Sequence, residues 1–138
     1  MAMESSEAKP KALDYYQAII TRLAGNSSSV KGWAISIATA VIGFGIKDGP
    51  RELAFLALLP MLLLWFLDAY YLAAERTYRG EFNRIAQSNN PVIGEIQGHL
   101  VGAREWIGAA LTPFTCGVYL VMIITSVIVG SGLALLRH

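Results

Sequence analysis

The sequence predicts an all-α integral membrane protein with three transmembrane helices. A membrane hairpin continues into a cytoplasmic helix, a third span follows, and an amphipathic helix leads the chain. Three observations carry this expectation. Leu53–Ala74 is apolar except for Asp68 and the mildly polar Tyr70 and Tyr71, and roughly 20 apolar residues at about 1.5 Å each cross a hydrocarbon core of about 30 Å. The chain is 54% hydrophobic and 15% charged, against about 25% charged in an average soluble domain, and the deficit sits in three apolar blocks. The last block carries no charge from Trp106 through Leu136.

A length of 138 residues makes one domain, 1–138, the default. The net charge of +1 argues against a nucleic-acid binder. The one cysteine, Cys116, cannot form an intramolecular disulfide. The N-terminus has neither an early cationic region nor an apolar core, so no cleaved signal is expected, and no lipidation signal is seen.

In chain order, the polar tip Met1–Pro10 is expected to be disordered at its end, with Pro10 at or before a helix start. Over 11–24, Leu13, Tyr16, Ile20 and Leu23 recur at helical spacing and predict an amphipathic helix. Two roles stay open for it: lying under lipid headgroups, or packing on this protein's own cytoplasmic helices. Gly25–Asn26 is expected to end that helix, and Ser27, Ser28 and Ser29 to cap the next. A first span is predicted over 30–46, with Lys31 and Trp33 as headgroup anchors. Gly32, Ser36 and Ala40 recur at i, i+4 and i+8, a small-residue stripe that permits close helix approach. Gly43, Gly45 and Gly49 resemble a phosphate loop only superficially, because no strand precedes them.

Lys47–Glu52 reads as a tight polar turn, so the first two spans form an antiparallel hairpin. The second span covers 53–74, where Pro60 is expected to kink the helix. The helix continues as a cytoplasmic extension over 75–88. Asp68, Tyr71, Glu75, Tyr78 and Phe82 share one face there, and Glu75 and Arg79 form an i, i+4 pair. Ser88-Asn89-Asn90-Pro91 is expected to end it. A weakly helical connector is expected over 92–105, and a third span over 109–135 with Trp106 as its anchor. Thr112–Pro113 predicts a kink or helix start, and Ser126 with Gly130 forms a second small-residue pair.

Lys9, Lys11, Arg22, Lys31, Arg76, Arg79, Arg84 and Arg104 fall on one side of such a membrane, against Lys47, Arg51 and Arg137 on the other. The positive-inside rule then puts the N-terminus in the cytoplasm and the C-terminus outside.

Asp68 is the residue with most to say, because a carboxylate near a membrane core is costly. Two readings stay open. It bonds a neighbouring helix, with Tyr70, Tyr71 or Lys31 as candidate partners, or it serves ions or gating together with Tyr71 and Glu75. No catalytic constellation is recognisable. Glu75 and Glu81 lie on different helix faces, and His99 and His138 are too far apart in sequence to pair as metal ligands. No P-loop, nucleophile elbow or HExxH motif occurs. The expectation is therefore a non-enzyme with no cofactor and no metal.

Gln17–Ala34 (QAIITRLAGNSSSVKGWA) and Phe55–Arg79 (FLALLPMLLLWFLDAYYLAAERTYR) resemble a group of small, largely uncharacterised bacterial membrane proteins. The layout also resembles, in architecture alone, the two-transmembrane effectors of bacterial antiphage and nucleotide-signalling systems. That second likeness covers about the first two thirds of the chain, and the third span departs from it. The resemblance implies an oligomeric inner-membrane effector that forms pores or perturbs the bilayer. The alternatives are a non-catalytic accessory or scaffold subunit and a small channel or transporter using Asp68. The implied partners are the lipid bilayer, further copies of the chain and a cytoplasmic protein.

Overall fold

The computed structural model describes the backbone of residues 2–47, 56–88 and 101–136, and those residues are helical apart from the ends and breaks between helices. The polar turn beyond Lys47, the first residues of the second predicted span, 53–55, and the predicted connector over 92–100 lie outside the described residues. Four helices follow in order: α1 (Ala2–Lys47), α2 (Leu58–Gln87), α3 (Ala103–Ala110) and α4 (Pro113–Leu136).

α1 corrects the expected break. Its 46 residues run without interruption through Gly25–Asn26 and the three serines, a length of about 69 Å at the α-helical rise. Its start at Ala2 also replaces the expected disordered tip, with Pro10 inside the helix. A mid-helix glycine costs about 1 kcal/mol relative to alanine, which packing on a second helix offsets. The serines do not cap. Ser29 donates to its own helix at the Gly25 carbonyl (3.0 Å), and Ser27 turns to a partner on α2. Propensity therefore yields to tertiary contact.

α1 and α2 pair antiparallel along almost their whole described length. Lys9 Nζ donates to the Ala86 and Ser88 carbonyls at 3.0 and 2.9 Å, placing a cation on the negative end of α2 and satisfying carbonyls that the helix leaves open. Next along the seam, the Tyr16 and Tyr78 rings lie 6.1 Å apart. Lys31 and Ser27 then meet Asp68. Furthest along, Ala38 packs with Ala57 and Met61. The buried side of α1 reads Ala12, Tyr16, Ile20, Ser27, Val30, Ala34, Ala38. Small residues line the seam where Ala38 meets Ala57, just before α2, and Met61, and Ala69, Ala73 and Ala74 are also buried on α2.

Pro60 does not kink α2 midway as expected. It falls in the first turn, because the helix begins at Leu58, and there a missing N–H deprives the helix of little. α2 runs on for 30 residues and ends where Ser88 turns extended (φ −78°, ψ 130°). α4 lies against α2 and α1. Tyr119 stacks near Trp65 at 6.1 Å, and Ser126 approaches Met61 Sδ at 3.9 Å. The predicted third span began at 109, inside α3; the break falls at Leu111–Thr112, and Pro113 opens α4. The missing proline N–H suits a first turn, and α3 and α4 meet at a 60° bend. The Trp106 and Trp65 indoles fasten α3 to α2, donating to the Phe66 and Ala110 carbonyls at 3.0 and 3.2 Å.

Among the described residues, α2 alone is long and apolar enough to cross a membrane, and the bent pair of α3 and α4 makes a second such element if taken as one span. The predicted first span is the lower part of α1 and does not meet the same test. Only 28% of the most apolar stretch of α2 is buried within the chain, whereas the core helix of a water-soluble protein is mostly covered. Leu59, Leu62, Leu63, Phe66, Leu67 and Tyr70 on α2 face outward, as do Leu120, Val121, Ile124, Val127 and Ile128 on α4. Exposed apolar residues clustered in this way mark a surface for another apolar partner or for lipid.

Candidate functional site

The polar centre of the structure is Asp68, on the α2 face that meets α1. It is 0% exposed. One carboxylate oxygen accepts from Lys31 Nζ at 2.7 Å and from the Ser27 hydroxyl in a short bond. Lys31 also donates to Ser27 Oγ at 2.9 Å, so carboxylate, ammonium and hydroxyl close a triangle. Helix geometry explains it. Ser27 and Lys31 are four apart on an unbroken α1, hence stacked on one face, and that face meets Asp68. The lysine side chain is 17% exposed, against 0% for the aspartate, so the lysine borders the surface while the carboxylate does not. Its Nζ lies 5.9 Å from the centre of the Phe114 ring at the start of α4, within cation–π range. The other Asp68 oxygen is buried with no protein donor.

The two open readings for Asp68 thus meet a definite arrangement: an interhelical ion pair to Lys31, one of the partners the sequence offered. Tyr71 and Glu75 do not join it. Tyr71 lies against Tyr70, ring centres 6.1 Å apart, and Glu75 holds Arg79 at 2.7 Å within α2. Ser27 was missed because the serine triplet read as caps. Its spacing to Lys31 signals the site once the helix is taken as continuous.

The remaining candidates scatter. Gly32, Ser36 and Ala40 lie together on an exposed face of α1, away from α2, and the Ser36 hydroxyl is satisfied by the Gly32 carbonyl at 2.9 Å. Trp33 is exposed, and Trp106 is partly buried beside Phe66, 5.4 Å between ring centres. Ser126, a candidate for a helix–helix interface, is fully buried against α2 within the chain. Gly130 lies in α4, and its surroundings are outside the described residues. No group of His, Cys, Asp or Glu able to hold a metal occurs among the described residues.

Chemically, the triangle neutralises two charges where apolar surface gives way to charge. Asp68 directly follows Leu67, the last exposed leucine of α2, and stands before Glu75 and Arg76. A buried, paired carboxylate is suited to fixing helices.

No family model matches the chain, and neither a curated protein nor a solved structure matches it.

Proposed function

We propose that the chain is a non-catalytic, oligomeric protein of the bacterial inner membrane, an effector that perturbs or permeabilises the bilayer. Its three spans are the lower part of α1, the apolar part of α2, and α4. The N-terminal half of α1 and the end of α2 form a cytoplasmic stalk that receives the trigger, from a cytoplasmic protein or a ligand, and the C-terminus lies outside. The observation that carries this reading is the outward apolar surface of α2 and α4, which lipid covers at no desolvation cost. The paired Asp68–Lys31 charges are compatible with that setting, because an unpaired charge at the bilayer centre costs about 2.5–3.5 kcal/mol on insertion scales. Self-association is supported by the exposed Gly32–Ser36–Ala40 face. Antiphage defence is the proposed setting, on the resemblance of the layout.

The channel reading loses support from the burial and pairing of Asp68. The scaffold reading is favoured by a shallow cleft of about 220 Å³ on the stalk, lined by Tyr15, Ala18, Ile19 and Arg22, where a cytoplasmic helix could sit. Reconstitution separates the two. Purified protein in liposomes should release an encapsulated dye once its density allows oligomers. Tight vesicles at every density would leave the scaffold role.

A further inference from the structure

A cleft of about 380 Å³ opens between α2 and α3, lined by Ala73, Arg76, Thr77, Glu105 and Gly108. We infer that it holds the headgroup of one zwitterionic phosphoethanolamine lipid. The inference rests on the membrane reading above and adds a ligand to it.

Position is the first argument. On α2 the exposed leucines and Phe66 lie to one side of the cleft, the Glu75–Arg79 pair begins at its level, and the Glu81–Arg84 pair lies to the other side. Trp106 is anchored on α2 at the apolar end. Ile107 and Leu111 are exposed on α3, where acyl chains would run past them. Headgroups occupy that level of a bilayer.

Charge is the second argument. One wall brings Arg76 and Thr77, whose hydroxyl donates to the Ala73 carbonyl at 3.1 Å, and the other brings Glu105, whose carboxylate lies over Gly102. Arg76 donates one terminal N–H to Thr112 Oγ1 at 3.0 Å, which orients the guanidinium, and a guanidinium carries five donors in all. A phosphate diester is the natural acceptor for the remainder. A purely anionic headgroup would meet Glu105 unfavourably. A choline cation has no N–H to give a carboxylate, whereas a primary ammonium has three. The pairing of one cation and one anion across the cleft therefore matches phosphoethanolamine. Room is the third argument: a side-chain carbon built on Gly108 meets nothing within 4 Å, and Ala73 opposite is small.

The test is native mass spectrometry of the full chain released from micelles containing equal amounts of dioleoyl phosphatidylethanolamine, phosphatidylcholine and phosphatidylglycerol. Bound phosphatidylethanolamine should exceed the others by about tenfold, the scale of one charge-assisted hydrogen bond. Glu105→Gln should erase the preference over phosphatidylcholine while keeping phospholipid binding. Arg76→Gln should weaken all three lipids. Gly108→Leu, which fills the cleft and leaves the Thr112 contact in place, should abolish binding even if Arg76→Gln disturbs α3. Equal occupancy by the three lipids, or a preference that survives both Glu105→Gln and Gly108→Leu, would overturn the site. Displacement by soluble phosphoethanolamine at matching concentration would overturn the lipid source. Failure of the chain to enter vesicles of any composition would sink the membrane reading itself, and this proposal with it.

Discussion

At the scale of single residues, Asp68 and Lys31 define each other. Removing one partner of a buried pair leaves the other charge uncompensated, at a cost of about 3–5 kcal/mol. Lys31 borders the surface and Asp68 does not, so the two single variants should differ. Lys31→Met, which strands the carboxylate, should lower the melting temperature in detergent more than Asp68→Asn, which keeps an acceptor for Ser27. The double variant Lys31→Met/Asp68→Leu should recover most of the loss. Equal losses in both single variants, or a double variant that simply sums them, would show that the pair is not a coupled unit. A second residue-scale prediction concerns Tyr16, on the stalk. Burial first, then the charge of Glu81, hold its phenol above the ordinary value of about 10, against a smaller opposite pull from Arg84. The folded state thus keeps this proton after the unfolded chain starts to lose it. The contribution is complete below about pH 10 and fades as pH rises through the folded-state value. Melting curves above about pH 10 should therefore fall faster for the natural chain than for Tyr16→Phe, and parallel curves would remove Tyr16 from that dependence.

At the scale of elements, the informative places are where local signals and packing disagree. Gly25, Asn26 and three serines in a row are poor helix formers, and local chemistry reads them as a stop followed by a start. The chain passes through them as one helix, because Ser27 has a buried partner and Ser29 bonds its own backbone. A single sequence does not reveal a contact with a residue about forty positions away. Pro113, by contrast, was legible because proline acts on its own backbone whatever surrounds it. The apolar blocks were legible for the same kind of reason, since a run of apolar residues stands out in the sequence whatever packs against it. The Asp68–Lys31 contact was half legible: both residues stood out as charges bordering apolar runs, but only the antiparallel register pairs them. Continuity of α1 gives a sharp prediction. A carbon built on Gly25 meets nothing within 4 Å, so Gly25→Ala in an unbroken helix should stabilise the protein by about 0.5–1 kcal/mol. Were Gly25 a left-handed turn, the same change would destabilise it. A lower melting temperature for Gly25→Ala would reinstate the break.

At the scale of the whole molecule, the α1–α2 hairpin uses one side of α1 and leaves another bare. Val30, Ala34 and Ala38 face α2 and are buried, while Gly32, Ser36 and Ala40 are exposed. The Ser36 hydroxyl is already bonded to the Gly32 carbonyl, so nothing polar on that stripe asks for water. Lipid tails are as apolar as leucine, so helices associate in a bilayer through close packing, and small residues allow the closest approach. In the proposed oligomer, a second copy of the chain would place the same stripe opposite itself in a two-fold arrangement. Ser36→Leu combined with Ala40→Leu should therefore separate assembly from folding. The protomer should melt where the natural chain does, because neither side chain enters the α1–α2 seam. The detergent-solubilised protein should shift to smaller species by light scattering, and dye release from liposomes should fall with it. Ala38→Leu is the complementary control. It forces bulk into the buried seam and should lower the melting temperature, typically by the equivalent of about 1–3 kcal/mol for an overpacked core. If Ser36→Leu/Ala40→Leu keeps both its melting temperature and its oligomer distribution, the stripe faces lipid alone, and self-association must be sought on the outer face of α4.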